Sequence, residues 1–158
     1  MALPVRKHPR LKNYDYGQCG CYHITICVKH RRPILSKITC PSKAIERAAI
    51  QLTQLGRIVQ RFILNIPDIY HDVRVDKYVI MPNHVHLLLT LGAECATTIP
   101  TIVRSLKRMI TRESGESIWQ ESYYDVVIRN DSMFQCEWDY IENNPDKWAE
   151  DELYIANM

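Results

Sequence analysis

No apolar run in the chain approaches the ~20 residues that a membrane-spanning helix needs, so such a helix is excluded. Cysteine occurs six times, at Cys19, Cys21, Cys27, Cys40, Cys95 and Cys136, but never as a CxxC pair. Cys21 and Cys27 also fall in a strand-like run, so the six are read as reduced structural thiols. Net charge is scarce: twenty Lys and Arg against eighteen Asp and Glu leave +2, too little to announce a nucleic-acid partner. No apolar signal core follows the basic segment 1–13, so nothing marks the chain for export and a cytoplasmic location is expected. Internal repeats, low-complexity tracts and interdomain linkers are missing as well. What remains, 158 residues of which 46% are hydrophobic, is the size of one ordinary domain that buries its core without staples.

The charge that is present is clustered. Arg6, Lys7, Arg10 and Lys12 crowd an N-terminal arm, Lys29, Arg31 and Arg32 follow the first strand-like run, and Arg104, Lys107, Arg108 and Arg112 gather again. The molecule is therefore expected to have a basic side.

Periodicity supplies the elements. Residues 21–28 alternate, with Tyr22, Ile24, Ile26 and Val28 on one face and Cys21, His23, Thr25 and Cys27 on the other, which is a strand. Pro41-Ser42 opens a stretch where Ile45, Ala48, Ala49, Leu52, Leu55, Ile58, Val59 and Phe62 recur at helical spacing, predicting a helix of about five turns with Ser42 as its cap. Residues 72–81 and 84–91 are β-rich and separated by Pro82-Asn83, so they read as neighbouring antiparallel strands. Ile102, Val103, Leu106, Met109 and Ile110 stripe a helix over 98–114 whose outer face is Arg104, Lys107, Arg108 and Arg112. Residues 123–128 form a fourth strand. Asn130-Asp131 then caps a last helix that buries Phe134, Trp138 and Ile141 and stops at Pro145. This order suits an α+β fold: a ferredoxin-like antiparallel sheet, two covering helices, and an additional C-terminal helix.

Chemistry concentrates in Met81-Pro82-Asn83-His84-Val85-His86. Two histidines one residue apart on a strand project from the same face, so both imidazoles can reach one cation while Val85, Leu87 and Leu89 face the core. By itself the pair is weak evidence, since two histidines on a strand are more often ordinary polar residues of a solvated face. On the last helix Tyr140 and Asn144 are four residues apart and share a face. Asn144 offers a neutral carbonyl oxygen as a third ligand beside a tyrosine nucleophile. The plain alternative is that Asn144-Pro145 only ends the helix and that Tyr140, one of nine tyrosines, packs by its ring.

Five segments together resemble one family. They are Leu11-Lys12-Asn13-Tyr14-Asp15-Tyr16; Val79-Ile80 running into the histidine motif; Ile102-Val103-Arg104-Ser105-Leu106-Lys107; Ile118-Trp119-Gln120 with Tyr123-Tyr124; and Tyr140-Ile141-Glu142-Asn143-Asn144-Pro145-Asp146-Lys147-Trp148. In this order, from about Arg10 to Trp148, they resemble the REP-associated tyrosine transposases, which belong with the IS-200-like transposases of the HUH endonuclease superfamily. The resemblance implies a ferredoxin-like catalytic domain, here residues 21–148 behind a basic arm of 1–20. It implies a divalent metal ion, Mg2+ or Mn2+, held by His84, His86 and Asn144, with Tyr140 as nucleophile. Family members cut single-stranded DNA, often beside a hairpin, through a 5′-phosphotyrosine. Tyr123 and Tyr124 match the family's strand motif and not its nucleophile. His23 departs from the family pattern, where an apolar residue is usual, and is expected to be structural or solvent-facing.

Single-stranded or hairpin DNA is thus the expected partner, and the chain is expected to act as a monomer or homodimer. Arg10 and Lys12 on the arm, with Arg104, Lys107, Arg108 and Arg112 on the helix, are the expected phosphate contacts, although such stripes also serve solubility. Two rivals stand beside this reading: a non-catalytic nucleic-acid-binding module, and a metal-dependent phosphoesterase using water.

Overall fold

Strand β1 (Gly20–Cys27) forms where the alternation places it and becomes an inner strand of a four-stranded antiparallel sheet. In this computed structural model, which describes residues 14–39, 47–151 and 153, β1 pairs with β5 (His84–Leu91) on one side and β6 (Tyr124–Ile128) on the other. β4 (Val73–Ile80) closes the edge beside β5. The order β4-β5-β1-β6 takes the sheet strands as second, third, first and fourth along the chain, which is the ferredoxin-like arrangement with a helix in each crossover.

Those helices are α1 (Gln54–Leu64) and α3 (Ile99–Ser114). The Thr98 hydroxyl accepts from Thr101 N to start α3, and Gly115 at φ 77° closes it in the left-handed conformation that glycine adopts most easily. Val59 and Ile63 of α1 and Ile102, Val103, Leu106 and Ile110 of α3 bury against Tyr22, Ile24 and Ile26 of β1 and Val85, Leu87, Leu89 and Leu91 of β5. Each such fully buried aliphatic chain contributes about 1.5–3 kcal/mol relative to exposure.

The other sheet face is also covered. α4 (Asp131–Asn143), capped by the Asn130 side chain at Met133 N, and a 3-10 segment (Pro145–Glu150) cross it. Ile141 and Trp148 pack there on Val79, Met81 and Leu88, with Phe134 and Trp138 half-buried around them. The apolar face read for the last helix is therefore the one it buries. Because both sheet faces are covered, even the polar side chains His23 and Thr25 of β1 are buried.

One expectation fails. Instead of a single helix over 42–62, the chain forms a hairpin of β2 (Ser36–Thr39) with β3 (Ala49–Leu52) and only then enters α1. Ser42 lies outside the described residues. The cap is Thr53: its hydroxyl accepts from Gly56 N while donating toward the carbonyls of Ile34 and Leu35, which ties the preceding backbone in extended form. Ile38 and Ile50 pack on the α4 side of the sheet, a tertiary contact that overrides the local spacing. Gly56 is required here, since a Cβ would sit 2.0 Å from the Leu35 carbonyl oxygen. A short helix, α2 (Ile66–Ile69), leads into β4. Among the described residues no helix is long and apolar enough to cross a membrane.

Candidate active site

The 81–84 turn, closed by Met81 N donating to His84 O at 2.9 Å, delivers the two histidines of β5 to the α4 side of the sheet. Both are buried, His84 fully. Their Nε2 atoms face each other at 3.2 Å, with ring planes at 84°. Asn83, read from sequence only as a turn residue, is also buried. Its Nδ2 donates to the carbonyls of Arg31 and Leu153, which turns its Oδ1 toward His84 Nδ1 at 2.8 Å. An amide oxygen can only accept, so the His84 proton sits on Nδ1 and the Nε2 lone pair faces the site.

His86 is held from β1. Its Nδ1 lies 3.0 Å from Thr25 Oγ1 and 3.0 Å from His23 Nε2. His23 in turn meets the Glu137 carboxylate of α4 through Nδ1. Of the two roles expected for His23 the solvent-facing one fails: the residue is buried, and it stands between a histidine of the site and an acid of the last helix. Residue 23 points to the same face as 21, 25 and 27, so register with β5 puts it beside His86; its partner Glu137, 114 positions away, left no local signal.

The end of α4 brings the remaining candidates in. The Tyr140 ring centre is 5.3 Å from that of His86 and 5.9 Å from that of His23, and the residue is 47% exposed. One turn later Asn144 is 5% exposed beside His84, and its Oδ1 is buried without a hydrogen-bond partner. The Trp148 ring lies 6.0 Å from His84, and Asp151 Oδ2 is 3.7 Å from His84 Nε2. The structure thus gathers His84, His86, Asn144 and Tyr140 from the end of one helix and the start of one strand.

Comparison with known proteins gives a consistent answer. No protein-family model matches the chain. An uncharacterised protein of Haemophilus influenzae is 33% identical over 175 residues, spanning 95% of this chain and 93% of that protein. A REP-associated tyrosine transposase of Escherichia coli is 31% identical over 74 residues, 46% of this chain and 44% of the relative. A solved REP-associated tyrosine transposase, bound to a REP hairpin, superposes with a TM-score of 0.66 at 21% identity over 87% of this chain and 73% of the other. The chain belongs to the family of the Haemophilus protein, and it is similar to the REP-associated tyrosine transposases over part of its sequence and in its fold. A candidate transposase from Deinococcus radiodurans shares the fold more loosely, at a TM-score of 0.51 and 20% identity over 85% of this chain and 95% of the other.

The electrostatics of this site favour neutral imidazoles. Burial pushes the His84 pKa down to about 3, opposed slightly by the Asn144 amide. Burial also holds His86 well below the usual histidine range, and the neighbouring His84 and His23 lower it further. Both rings therefore keep free lone pairs at neutral pH. A divalent ion fits these residues. The 3.2 Å between the Nε2 atoms lets both reach one ion, since metal–imidazole bonds are about 2.0–2.1 Å. The unpartnered Asn144 oxygen is a third neutral donor that would suit the same ion. Among the described residues no group of three or more His, Cys, Asp or Glu is arranged to hold a metal ion.

The basic residues divide differently. Arg10 and Lys12 lie outside the described residues. Arg104, Arg108 and Arg112 are exposed on α3, which covers the sheet face opposite the histidines. Lys107 is half-buried and turns back along the chain: its Nζ donates to the carbonyls of Gln120 and Ser122 at 2.8 and 2.9 Å, and to that of Glu121 at 3.4 Å. Its three protons are engaged within the fold.

Proposed function

We propose that the chain is a single-tyrosine DNA nicking and joining enzyme, acting on single-stranded DNA next to a hairpin and using a divalent ion, Mg2+ or Mn2+. The observation that carries this reading is the half-exposed Tyr140 ring set 5.3 Å from the buried His86, with Asn144 one turn further on the same helix beside His84. His84, His86 and Asn144 would hold the ion; when bound, it offsets charge on the non-bridging oxygens of the scissile phosphate.

Everything else falls to the chain's own groups. Tyr140 oxygen forms the new bond to phosphorus, the bond from phosphorus to the 3′-oxygen breaks, and the strand leaves with a 3′-hydroxyl that takes up the proton. The phosphate stays on its 5′-oxygen and on the tyrosine. Phenol, with an ordinary pKa of about 10, is a better leaving group than an alcohol, so a 3′-hydroxyl reverses the step without an energy source. α4 fixes the ring against the histidines, which supplies orientation. One chain assembles all four groups, which supports action in cis by a monomer. Contact between Arg104, Arg108 and Arg112 and DNA is part of the same proposal, as a site for flanking strand and not for the reacting phosphate.

The test is a denaturing gel after incubation with Mg2+ or Mn2+ and a hairpin oligonucleotide carrying a single-stranded flank. The wild type should give a protein–DNA adduct, and Tyr140→Phe should bind the DNA yet give none. An adduct persisting in Tyr140→Phe moves the nucleophile elsewhere. Cleavage without an adduct in the wild type favours a phosphoesterase using water, and binding without cleavage favours a non-catalytic module.

A further inference from the structure

We infer that Glu137 and His23 are positioning residues: they form a hydrogen-bond relay that sets the proton of His86 and links it to the seating of the helix carrying Tyr140. This inference rests on the proposal that His86 holds an ion. The relay runs from α4 through β1 to β5, and it starts from a group that can only accept.

A carboxylate only accepts hydrogen bonds. Glu137, half-buried at 22% side-chain exposure, therefore takes the proton of His23 on Nδ1, and in the relay we infer the other ring nitrogen, Nε2, accepts from His86 Nδ1 at 3.0 Å. In that direction His86 Nδ1 is the donor, with the Thr25 hydroxyl at 3.0 Å sharing that proton. This leaves His86 Nε2 bare. On the other side Asn83 Oδ1 accepts from His84 Nδ1 and leaves His84 Nε2 bare by the same logic. Two independent chains of hydrogen bonds thus aim two lone pairs at each other across 3.2 Å, an arrangement that repels unless a cation lies between them. An acceptor behind a ligating imidazole raises its basicity and fixes its orientation, and losing such partners typically costs 10–100-fold in metal affinity.

Glu137 adds a second consequence. It precedes Tyr140 by three residues on α4 and Asn144 by seven, so the carboxylate that orders His86 also pins the face of the helix presenting the nucleophile and the third ligand. If α4 shifts, His86 loses the group that orders its proton. Glu142, on the same helix, serves a different purpose: it pairs with Lys77 and Arg47, away from the histidines, and is the natural control.

The experiment measures proton position and ion affinity, not turnover. In the Mg2+-loaded wild type, nitrogen-15 spectra of the histidine rings should show His23 and His86 both protonated at Nδ1. Mn2+ affinity, followed by electron paramagnetic resonance, should fall 10–100-fold in Glu137→Gln, because an amide can donate to His23 Nδ1 and reverse the chain. Glu137→Asp should recover part of the loss and Glu142→Gln should match the wild type. In a His23→Leu background, Glu137→Gln should have no further effect on Mn2+ affinity. A purely structural role would lower the unfolding temperature of Glu137→Gln while leaving proton position and affinity alone, and that result overturns the inference. So does a His86 proton found on Nε2 in the loaded wild type, a measurement that needs no variant to fold. A wild type that binds Mn2+ but shows no relay sinks this inference alone; one that binds no Mn2+ removes the ion-dependent reading with it.

Discussion

Asn144→Ala separates a residue kept for ligation from one kept for stability, and its two effects should differ in kind. In the metal-free chain the Asn144 carbonyl oxygen is buried and meets no donor, because the neutral His84 beside it carries its proton on the far nitrogen. An unsatisfied buried acceptor costs about 1–3 kcal/mol. Removing it returns that amount, while the lost contacts of three heavy atoms cost a comparable sum, so the metal-free variant should unfold within a few degrees of the wild type. With ion at a hundred times its dissociation constant, the wild type should gain about 2.7 kcal/mol. At roughly 2–4 °C per kcal/mol for a domain of this size, that is a rise of about 5–11 °C. If the variant binds a hundredfold more weakly, the same ion concentration adds only about 0.4 kcal/mol, or about 1–2 °C. Differential scanning fluorimetry of both proteins with and without Mn2+ reads all four values. The reasoning is refuted if the variant keeps the full metal-induced shift, or if its metal-free form loses more than about 3 kcal/mol, since the amide would then be a structural hydrogen-bonding group.

Two further outcomes follow from the surface and the thiols. Replacing Arg104, Arg108 and Arg112 together by Gln should flatten the salt dependence of single-stranded DNA binding by up to about two units of slope. Lys107→Met should leave that slope alone and instead cost about 1–3 kcal/mol, since it strands the carbonyls around residues 120–122; fluorescence anisotropy across a salt series and chemical denaturation separate the two, and a slope that ignores the triple variant would make the α3 face a bystander. Burial pushes the Cys27 thiol up to about 11, so at pH 8 a maleimide should label the exposed Cys19 and Cys136 and spare Cys27 until the chain unfolds. Peptide mapping that finds Cys27 labelled at a comparable rate would show that β1 opens.

The sheet and its histidines were legible because period-two patterning is a local property: the alternation of residues 21–28 and of His84, His86 and Leu88 against Val85, Leu87 and Leu89 states both the element and the face. The hairpin of β2 and β3 was not. Ala48, Ala49 and Leu52 satisfy helical spacing as well as Ile50 and Leu52 satisfy alternation, and what decides is the packing of Ile38 and Ile50 under α4, which no local window contains. Thr53 before Gly56 was the readable cap, three residues ahead of a glycine that the Leu35 carbonyl leaves no room to replace. Tyr140 and Asn144 could be placed on one face by their spacing; the burial of one and the exposure of the other could not, because it depends on where α4 lands. His23 and Asn83 were missed for the same reason. Their partners, Glu137 and the carbonyls of Arg31 and Leu153, come from distant chain, and burial turned an ordinary turn asparagine into the acceptor that orders His84.

The division of burial within the site follows from what each group has to do. A ligand is useful when its lone pair is bare, fixed and unhydrated, and the three candidate ligands are at most 5% exposed. A nucleophile must be reached by a polymer, and Tyr140 is 47% exposed one turn away. Charge is divided in the same manner. The three candidate ligands are neutral, so a divalent ion held by them would keep nearly its full charge for a phosphate, whereas a carboxylate in direct contact would cancel part of it. The carboxylates stand one step back: Glu137 acts on His86 only through His23, and Asp151 lies 3.7 Å from His84 Nε2. Negative charge at that remove still draws a cation into a buried pocket, and it does so without joining the ligand set whose neutrality the proposed chemistry uses.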